Sequence, residues 1–263
     1  PPRSTLFPYT TLFRSLLLGP GHGDARRRLA QYRTAFEPDA RLALARRLIA
    51  GKLAAQIRLL EIAQAQRPDV RKPLHDGIAT LRGLQPKLAT AADRDAVLGL
   101  EGAGAAAHYA ALTALFPPSL HFTGRNRRPP RDPVNACLSL GYTLLHFEAV
   151  RAAHGAGLDP LLGFYHEPAY GRESLACDLI EPLRPRLDGW VWGLFRERQL
   201  REHNFVEDKG ACLLVKGGRQ TFYAAYECWA PPLRRYLRRE CYRLANWLSE
   251  RAPPLPEGGN DER

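Results

Sequence analysis

The chain has 263 residues, 45% hydrophobic and 25% charged, enough to bury a core and too apolar for an intrinsically disordered chain. Its net charge is +11 and 33 of its 38 basic residues are arginine; arginine forks match phosphate oxygens two at a time, which favours an anionic partner, although a GC-rich coding sequence also inflates Arg, Ala, Gly and Pro together. Cys137, Cys177, Cys212, Cys228 and Cys241 are widely spaced with no C-x-x-C pair, which argues against a zinc ribbon or a disulfide framework and fits a reducing cytoplasm, and no run approaches the roughly 18 apolar residues of a membrane span.

In chain order, the first fifteen residues mix Pro, Thr and Phe with neither a helical nor a strand period. They lack the apolar stretch and cleavage site of a signal peptide and read as a non-native or artefactual leader. Residues 16–36 read as the remnant of an N-terminal domain and a linker, and 37–252 as one helical domain. The spacing of Leu42, Ile49, Leu53, Ile57 and Leu60 predicts a helix over 38–66, opened by Pro38. Arg46, Arg47, Lys52 and Arg58 lie mostly off that stripe and read as its solvated face. A second helical stretch is expected over 70–88, broken by Pro73 and Pro86, and a third over 91–115, stopped by Pro117 and Pro118. The third contains small residues from Gly102 to Ala107, which allow another element to approach closely. A basic loop, Gly124-Arg-Asn-Arg-Arg-Pro-Pro-Arg-Asp-Pro, follows; Asp132 reads as the N-cap and Pro133 as the first turn of a helix reaching about Ala153. After a Gly/Pro loop, Ser174 is expected to cap a helix reaching about Arg201, disturbed at Pro182 and Pro185. A short strand over 212–215 and helices over 220–228 and 232–251 close the domain, and 253–263 read as a disordered tail. The fold class is therefore all-α.

Three places hold polar groups where an apolar helix or a tight loop is expected. Glu101 interrupts an alanine-rich helix, where a buried carboxylate needs a partner or a metal, although a glutamate on the wet face is the commoner explanation. His166 sits in Gly163-Phe-Tyr-His-Glu-Pro, and taken alone it reads more readily as a structural or surface histidine. Asp178 and Glu181 are three apart, on one helix face among Leu175, Leu179, Ile180 and Leu183. Two neighbouring buried acids repel unless a cation lies between them; salt bridges to Arg172, Arg184 or Arg186 explain them as well. Taken together, these acids and one imidazole form an oxygen-rich set suited to Mg²⁺ or Mn²⁺, not zinc, of the kind that polarises a phosphoryl oxygen. The arginines of 125–131 would hold a DNA backbone nearby.

Four stretches in this order resemble the CRISPR adaptation integrase family (CRISPR-associated protein one). They are Leu100-Glu-Gly-Ala-Gly-Ala-Ala-Ala; Phe122-Thr-Gly-Arg-Asn-Arg-Arg-Pro-Pro-Arg-Asp-Pro-Val-Asn-Ala; Gly157-Leu-Asp-Pro with Gly163-Phe-Tyr-His; and Gly171-Arg-Glu-Ser-Leu-Ala-Cys-Asp-Leu-Ile-Glu-Pro-Leu-Arg-Pro. The resemblance implies a multi-helix catalytic domain, with the family's small β-rich N-terminal domain mostly missing here. It implies catalytic residues Glu101, His166, Asp178 and Glu181, of which Glu101, His166 and Glu181 ligate Mg²⁺ or Mn²⁺ and Asp178 assists. The family often has Asp at the Glu181 position. DNA contacts are expected from Arg125, Arg127, Arg128, Arg131, Arg172 and Arg184, with Asn135 structural or near the backbone. The implied activity is metal-dependent: a nuclease acting on branched DNA, and an integrase that inserts spacers into a CRISPR array by attack of a 3′-hydroxyl on a repeat phosphodiester. The implied partners are spacer-precursor and repeat DNA, a second copy of the chain, and CRISPR-associated protein two, in the cytoplasm and away from membranes. The alternative is a non-catalytic helical DNA-binding module, which the arginines along the last helix (Arg234, Arg235, Arg238, Arg239 and Arg243) would suit.

Overall fold

The computed structural model describes residues 25–252. The expected leader over 1–15 and the expected tail over 253–263 lie outside the described residues. Among those described, the fold is all-α apart from one two-stranded antiparallel sheet, as the sequence predicts. The helices are α1 (Ala25–Phe36), α2 (Pro38–Gln66), α3 (Arg71–Ala89), α4 (Arg94–Thr113), α5 (Pro133–Gly155), α6 (Ser174–Ile180), α7 (Arg184–Arg196), α8 (Lys216–Trp229) and α9 (Pro231–Glu250); the hairpin strands are β1 (Phe205–Asp208) and β2 (Ala211–Leu214).

The long α2 is the central element. It packs on α1, α3, α4, α7 and the 3₁₀ turn Glu181–Leu183. Ile49, Leu53, Ile57, Leu60 and Ala63 form its buried face, as their spacing predicts. Lys52 and Gln56 are buried on that same face. The reading of Lys52 as solvated is thus corrected: it follows Ile49 by three positions, which keeps it on the inward side of the helix.

The small-residue run in α4 does permit close approach, at Gly104. A Cβ there would lie 2.7 Å from Leu53 Cδ2 of α2, so any larger residue would force the Leu53 side chain to shift. This contact fixes the height at which Glu101, one turn earlier, stands against Lys52.

Several boundaries differ from expectation, each for an identifiable reason. Residues 25–36, read as remnant and linker, are helix α1. Its inner face includes Arg27, Gln31 and Thr34, so no apolar period announces it. Arg27 Nη1 donates to the Ala156 carbonyl at 2.7 Å, and Gln31 Nε2 donates to the Asp159 and Leu162 carbonyls at 2.8 Å each. Helix α3 runs through both prolines. Pro73 sits in the first turn, where its missing N–H costs nothing, and Pro86 lies close to the end. The helix expected from Ser174 to about Arg201 is three pieces, α6, the 3₁₀ turn and α7, with Pro182 and Pro185 just inside the second and third. Ser174 is the first helical residue and not the cap; its Oγ donates to the Glu167 carbonyl at 2.9 Å. Strand β1 went unread because Val206, Glu207 and Asp208 are exposed. Asp132 does cap α5, accepting from the Asn135 N–H at 2.8 Å.

Candidate active site

Glu101 on α4 and Glu181 at the α6–α7 junction are 80 positions apart in the sequence numbering, yet both carboxylates bind the same ammonium. Lys52 Nζ donates to Glu181 Oε2 at 2.6 Å and also to Glu101 Oε1. The other oxygen of Glu181 accepts from Arg184 Nε at 2.7 Å. Lys52 and Glu181 are buried, and Glu101 is partly open to solvent. Burial by itself pushes the Glu181 carboxyl up; the Arg184 guanidinium and the Lys52 ammonium outweigh it and hold that carboxyl down at about 2.

His166 stands on the same wall. A cavity of about 220 Å³ is lined by Lys52, Glu101, His166 and Glu181, with Tyr165 and Arg184. The imidazole is set by Asp178, whose Oδ1 lies 2.7 Å from His166 Nδ1 and 2.9 Å from the His166 backbone N. Asp178 Oδ2 accepts from the N–H groups of Phe164 and Tyr165 at 2.6 and 2.9 Å. One buried carboxylate therefore organises three successive amides and one ring. The loop can wrap it this tightly because residue 163 is glycine: a Cβ there would lie 2.7 Å from both Asp178 Oδ2 and the Ser174 carbonyl carbon. Arg41 and Arg94 tie down the far side of the loop through Glu167 Oε1, at 2.9 and 2.8 Å.

The three-residue spacing thus separates the two acids by task. Asp178 faces the 164–166 loop, and Glu181 faces Lys52 and Arg184. Of the salt bridges weighed from sequence, Arg184–Glu181 is present. Among the described residues no three His, Cys, Asp or Glu side chains stand together as a ready metal-binding group. The Lys52 ammonium holds the point on which Glu101 and Glu181 converge.

The chain belongs to the CRISPR associated protein Cas1 family. The family model matches residues 5–228, and a CRISPR-associated endonuclease Cas1 of Thermodesulfovibrio yellowstonii is 38% identical over 247 residues, 90% of this chain and 76% of that protein. Against Cas4/Cas1 fusion proteins the chain spans less than half of the relative's length, 48% of one and 30% of another. Two solved structures share the fold: a casposase bound to integration product, with a TM-score of 0.77 at 24% identity over 95% of this chain and 73% of that one, and a partial Cas6-RT-Cas1–Cas2 complex, with 0.79 at 23% over 90% and 75%.

Within this Cas1 fold the expected DNA arginines divide into two kinds. Arg125 and Arg184 are engaged inside the protein. Arg125 Nη1 donates to Asn135 Oδ1 at 2.8 Å and its Nη2 to Ser139 Oγ at 3.0 Å, while the buried Asn135 also donates to the Gly124 carbonyl at 2.8 Å. The Arg125 and Arg184 guanidinium groups lie over the Tyr142 ring at 5.4 and 4.7 Å. Arg127, Arg128, Arg131 and Arg172 are exposed, and Arg127 lines the cavity. On the last helix Arg234 is occupied by Glu148 and Glu227, and Arg243 by Glu240.

Sequence reasoning missed the layer beneath the site. His108 Nε2 and Asp188 Oδ2 are 2.9 Å apart, both buried; Asp188 Oδ1 accepts from the Tyr142 hydroxyl, which lies 2.9 Å from the Tyr109 hydroxyl. Burial and the Asp188 carboxylate raise both tyrosine hydroxyls well above their usual range. His108 and Asp188 sit on helices whose other buried positions are apolar or glycine, which is the one signal that could have marked them. Tyr165, beside His166, has a buried hydroxyl with no hydrogen-bond partner among the described residues.

Proposed function

We propose that this chain carries the catalytic site of a metal-dependent DNA endonuclease and integrase, which inserts spacers into a CRISPR array by 3′-hydroxyl attack on a repeat phosphodiester. The observation that carries the reading is the convergence of Glu101 and Glu181 on one cation beside His166. The donor set fits a hard divalent ion: two carboxylates already gathered around positive charge, and an imidazole whose Nδ1 is taken by a buried carboxylate, leaving Nε2 for a ligand. Glu101, Glu181 and His166 would hold Mg²⁺ or Mn²⁺, which supplies polarisation of a phosphoryl oxygen and activation of the attacking oxygen.

The protein's own groups do the rest. Asp178 fixes the ring and the loop that carries it, so that His166 acts as a positioned ligand. Arg184 keeps Glu181 ionised. The exposed Arg127 at the cavity supplies positive charge for a phosphate backbone there, and the exposed Arg128, Arg131 and Arg172 would extend it over the surface, consistent with the net charge of +11. The Tyr165 hydroxyl offers a donor to an oxygen entering the site. The relatives named as Cas1 endonucleases support nuclease chemistry, and the casposase bound to integration product supports strand transfer on this fold. The solved Cas6-RT-Cas1–Cas2 assembly supports CRISPR-associated protein two as partner; a second copy of the chain is part of the same proposal. No described helix is long and apolar enough to cross a membrane.

The test is strand transfer and cleavage of branched DNA with Mn²⁺. Glu101→Ala or His166→Ala should abolish both while DNA binding persists; unchanged activity in either variant refutes the assignment and leaves a DNA-binding module.

A further inference from the structure

The Lys52 ammonium occupies the place where the proposed metal would make its carboxylate contacts. It is buried, it reaches both Glu101 and Glu181, and it lies on the central helix, where neighbouring positions Ile49 and Leu53 are core. Lys52, Glu101, Glu181 and Arg184 together sum to zero charge. One buried and one half-buried acid with no cation between them would repel, so the two carboxylates are held together by the protein's own lysine.

A divalent ion bound to the same carboxylates with Lys52 unmoved would leave a net charge of two in a buried cluster. Ammonium and metal would also compete for the same oxygen lone pairs. A lysine has a flexible four-carbon stem and three donors that re-aim freely, and the cavity that Lys52 lines gives its head somewhere to go. Arg184, a planar fork clamped over the Tyr142 ring at 4.7 Å, is the fixed counter-charge of the pair.

We propose that Lys52 is a resident counter-ion that holds Glu101 and Glu181 together before a divalent cation enters and is displaced from them when it does. The displaced ammonium joins the positive lining that a phosphate meets. This inference rests on the reading of Glu101 and Glu181 as metal ligands.

The experiment measures Mn²⁺ affinity by calorimetry on the whole chain, without DNA, for wild type, Lys52→Met, Lys52→Gln and Glu101→Gln. Removing the competing ammonium should tighten Mn²⁺ binding at least roughly tenfold, and in chelator should lower Tm by at least about 5 °C. Lys52 variants that bind Mn²⁺ as wild type does, or more weakly, overturn the proposal. Wild type alone gives a second readout should both variants fail to fold. The chain has only five lysines, so the Lys52 ammonium can be followed by ¹⁵N NMR. A slowly exchanging signal in chelator that is lost or moved on saturation with Mg²⁺ supports displacement, and one that stays unchanged overturns it. The two hypotheses fail differently. If Glu101→Gln weakens Mn²⁺ binding but Lys52→Met does not tighten it, only the displacement is wrong. If Glu101→Gln leaves Mn²⁺ affinity untouched, the metal site itself is misassigned.

Discussion

Replacing Asp178 by asparagine changes almost no volume and separates two consequences that a larger deletion would mix. Asp178 accepts four hydrogen bonds, from the amides of residues 164, 165 and 166 and from His166 Nδ1, at 2.6–2.9 Å. An asparagine has one acceptor oxygen. Its best orientation keeps that oxygen on the Phe164 and Tyr165 amides, because these two share Oδ2. The new NH₂ then opposes the His166 N–H, and it can satisfy His166 Nδ1 only if the ring takes the tautomer with its proton on Nε2. One buried donor is left facing a donor and the remaining bonds lose their charge. Charge-assisted bonds contribute about 1.5–3 kcal/mol, and an unsatisfied buried donor costs about 1–3 kcal/mol, so Asp178→Asn should destabilise the fold by roughly 2–5 kcal/mol, read as a lowered urea midpoint with unchanged slope. The tautomer shift removes the Nε2 lone pair. Mn²⁺ affinity of the folded variant should therefore fall by about 10–100-fold, the range for a lost outer partner of a ligating histidine. A variant within about 0.5 kcal/mol of wild type in stability, or one that binds Mn²⁺ equally well, would refute the argument that this carboxylate organises the loop and the ring.

Gly163→Ala tests the same loop from the backbone side. Its Cβ would lie 2.7 Å from Asp178 Oδ2 and from the Ser174 carbonyl carbon, so urea denaturation should show a loss of about 1–3 kcal/mol, against a gain of about 0.5–1 kcal/mol for alanine at the open Gly83 inside α3. Glu181 gives a pH dependence of known sign. Its carboxyl is held at about 2 in the folded protein against 4.5 ordinarily, so its contribution, roughly 3 kcal/mol, is complete above the ordinary value. That contribution disappears as pH falls from about 4.5 to 2. In chelator, Glu181→Gln should flatten this part of the acid-stability curve; a variant with wild-type acid dependence would show that another carboxylate is responsible.

The parts of this fold that were legible from sequence are those whose buried faces are apolar. The period of Ile49, Leu53, Ile57 and Leu60 marks the buried face of α2 and Pro38 its first turn, and the Asp132–Pro133 pair marks the start of α5. Helix α1 was missed because it docks through Arg27, Gln31 and Thr34, so a hydrophobic period is not its signature. The three acids and the histidine were visible as residue types out of place, but their facing was not. A spacing of three predicts a common helix face for Asp178 and Glu181. The helix ends between them, at Ile180, and the turn containing Pro182 gives them different tasks.

Lys52 shows the physical limit most clearly. Lysines on amphipathic helices are ordinarily solvated, because burying one charge alone is costly. What makes burial tolerable here is a pair of acids, one on α4 and one 129 positions away at the α6–α7 junction. Neither is visible from the lysine's own neighbours in sequence. The same argument runs backward from the acids: Glu101 and Glu181 each look like candidates for a salt bridge or a metal, and a static arrangement in which they share an ammonium satisfies the first description. It also leaves both oxygens aimed at a single point of positive charge, the requirement that a divalent ion would place on them. A buried lysine that compensates two acids and a metal site that needs the same two acids are therefore compatible only if one cation yields to the other. Which cation holds the carboxylates is a matter of relative affinity, and that quantity depends on side chains from three distant segments at once.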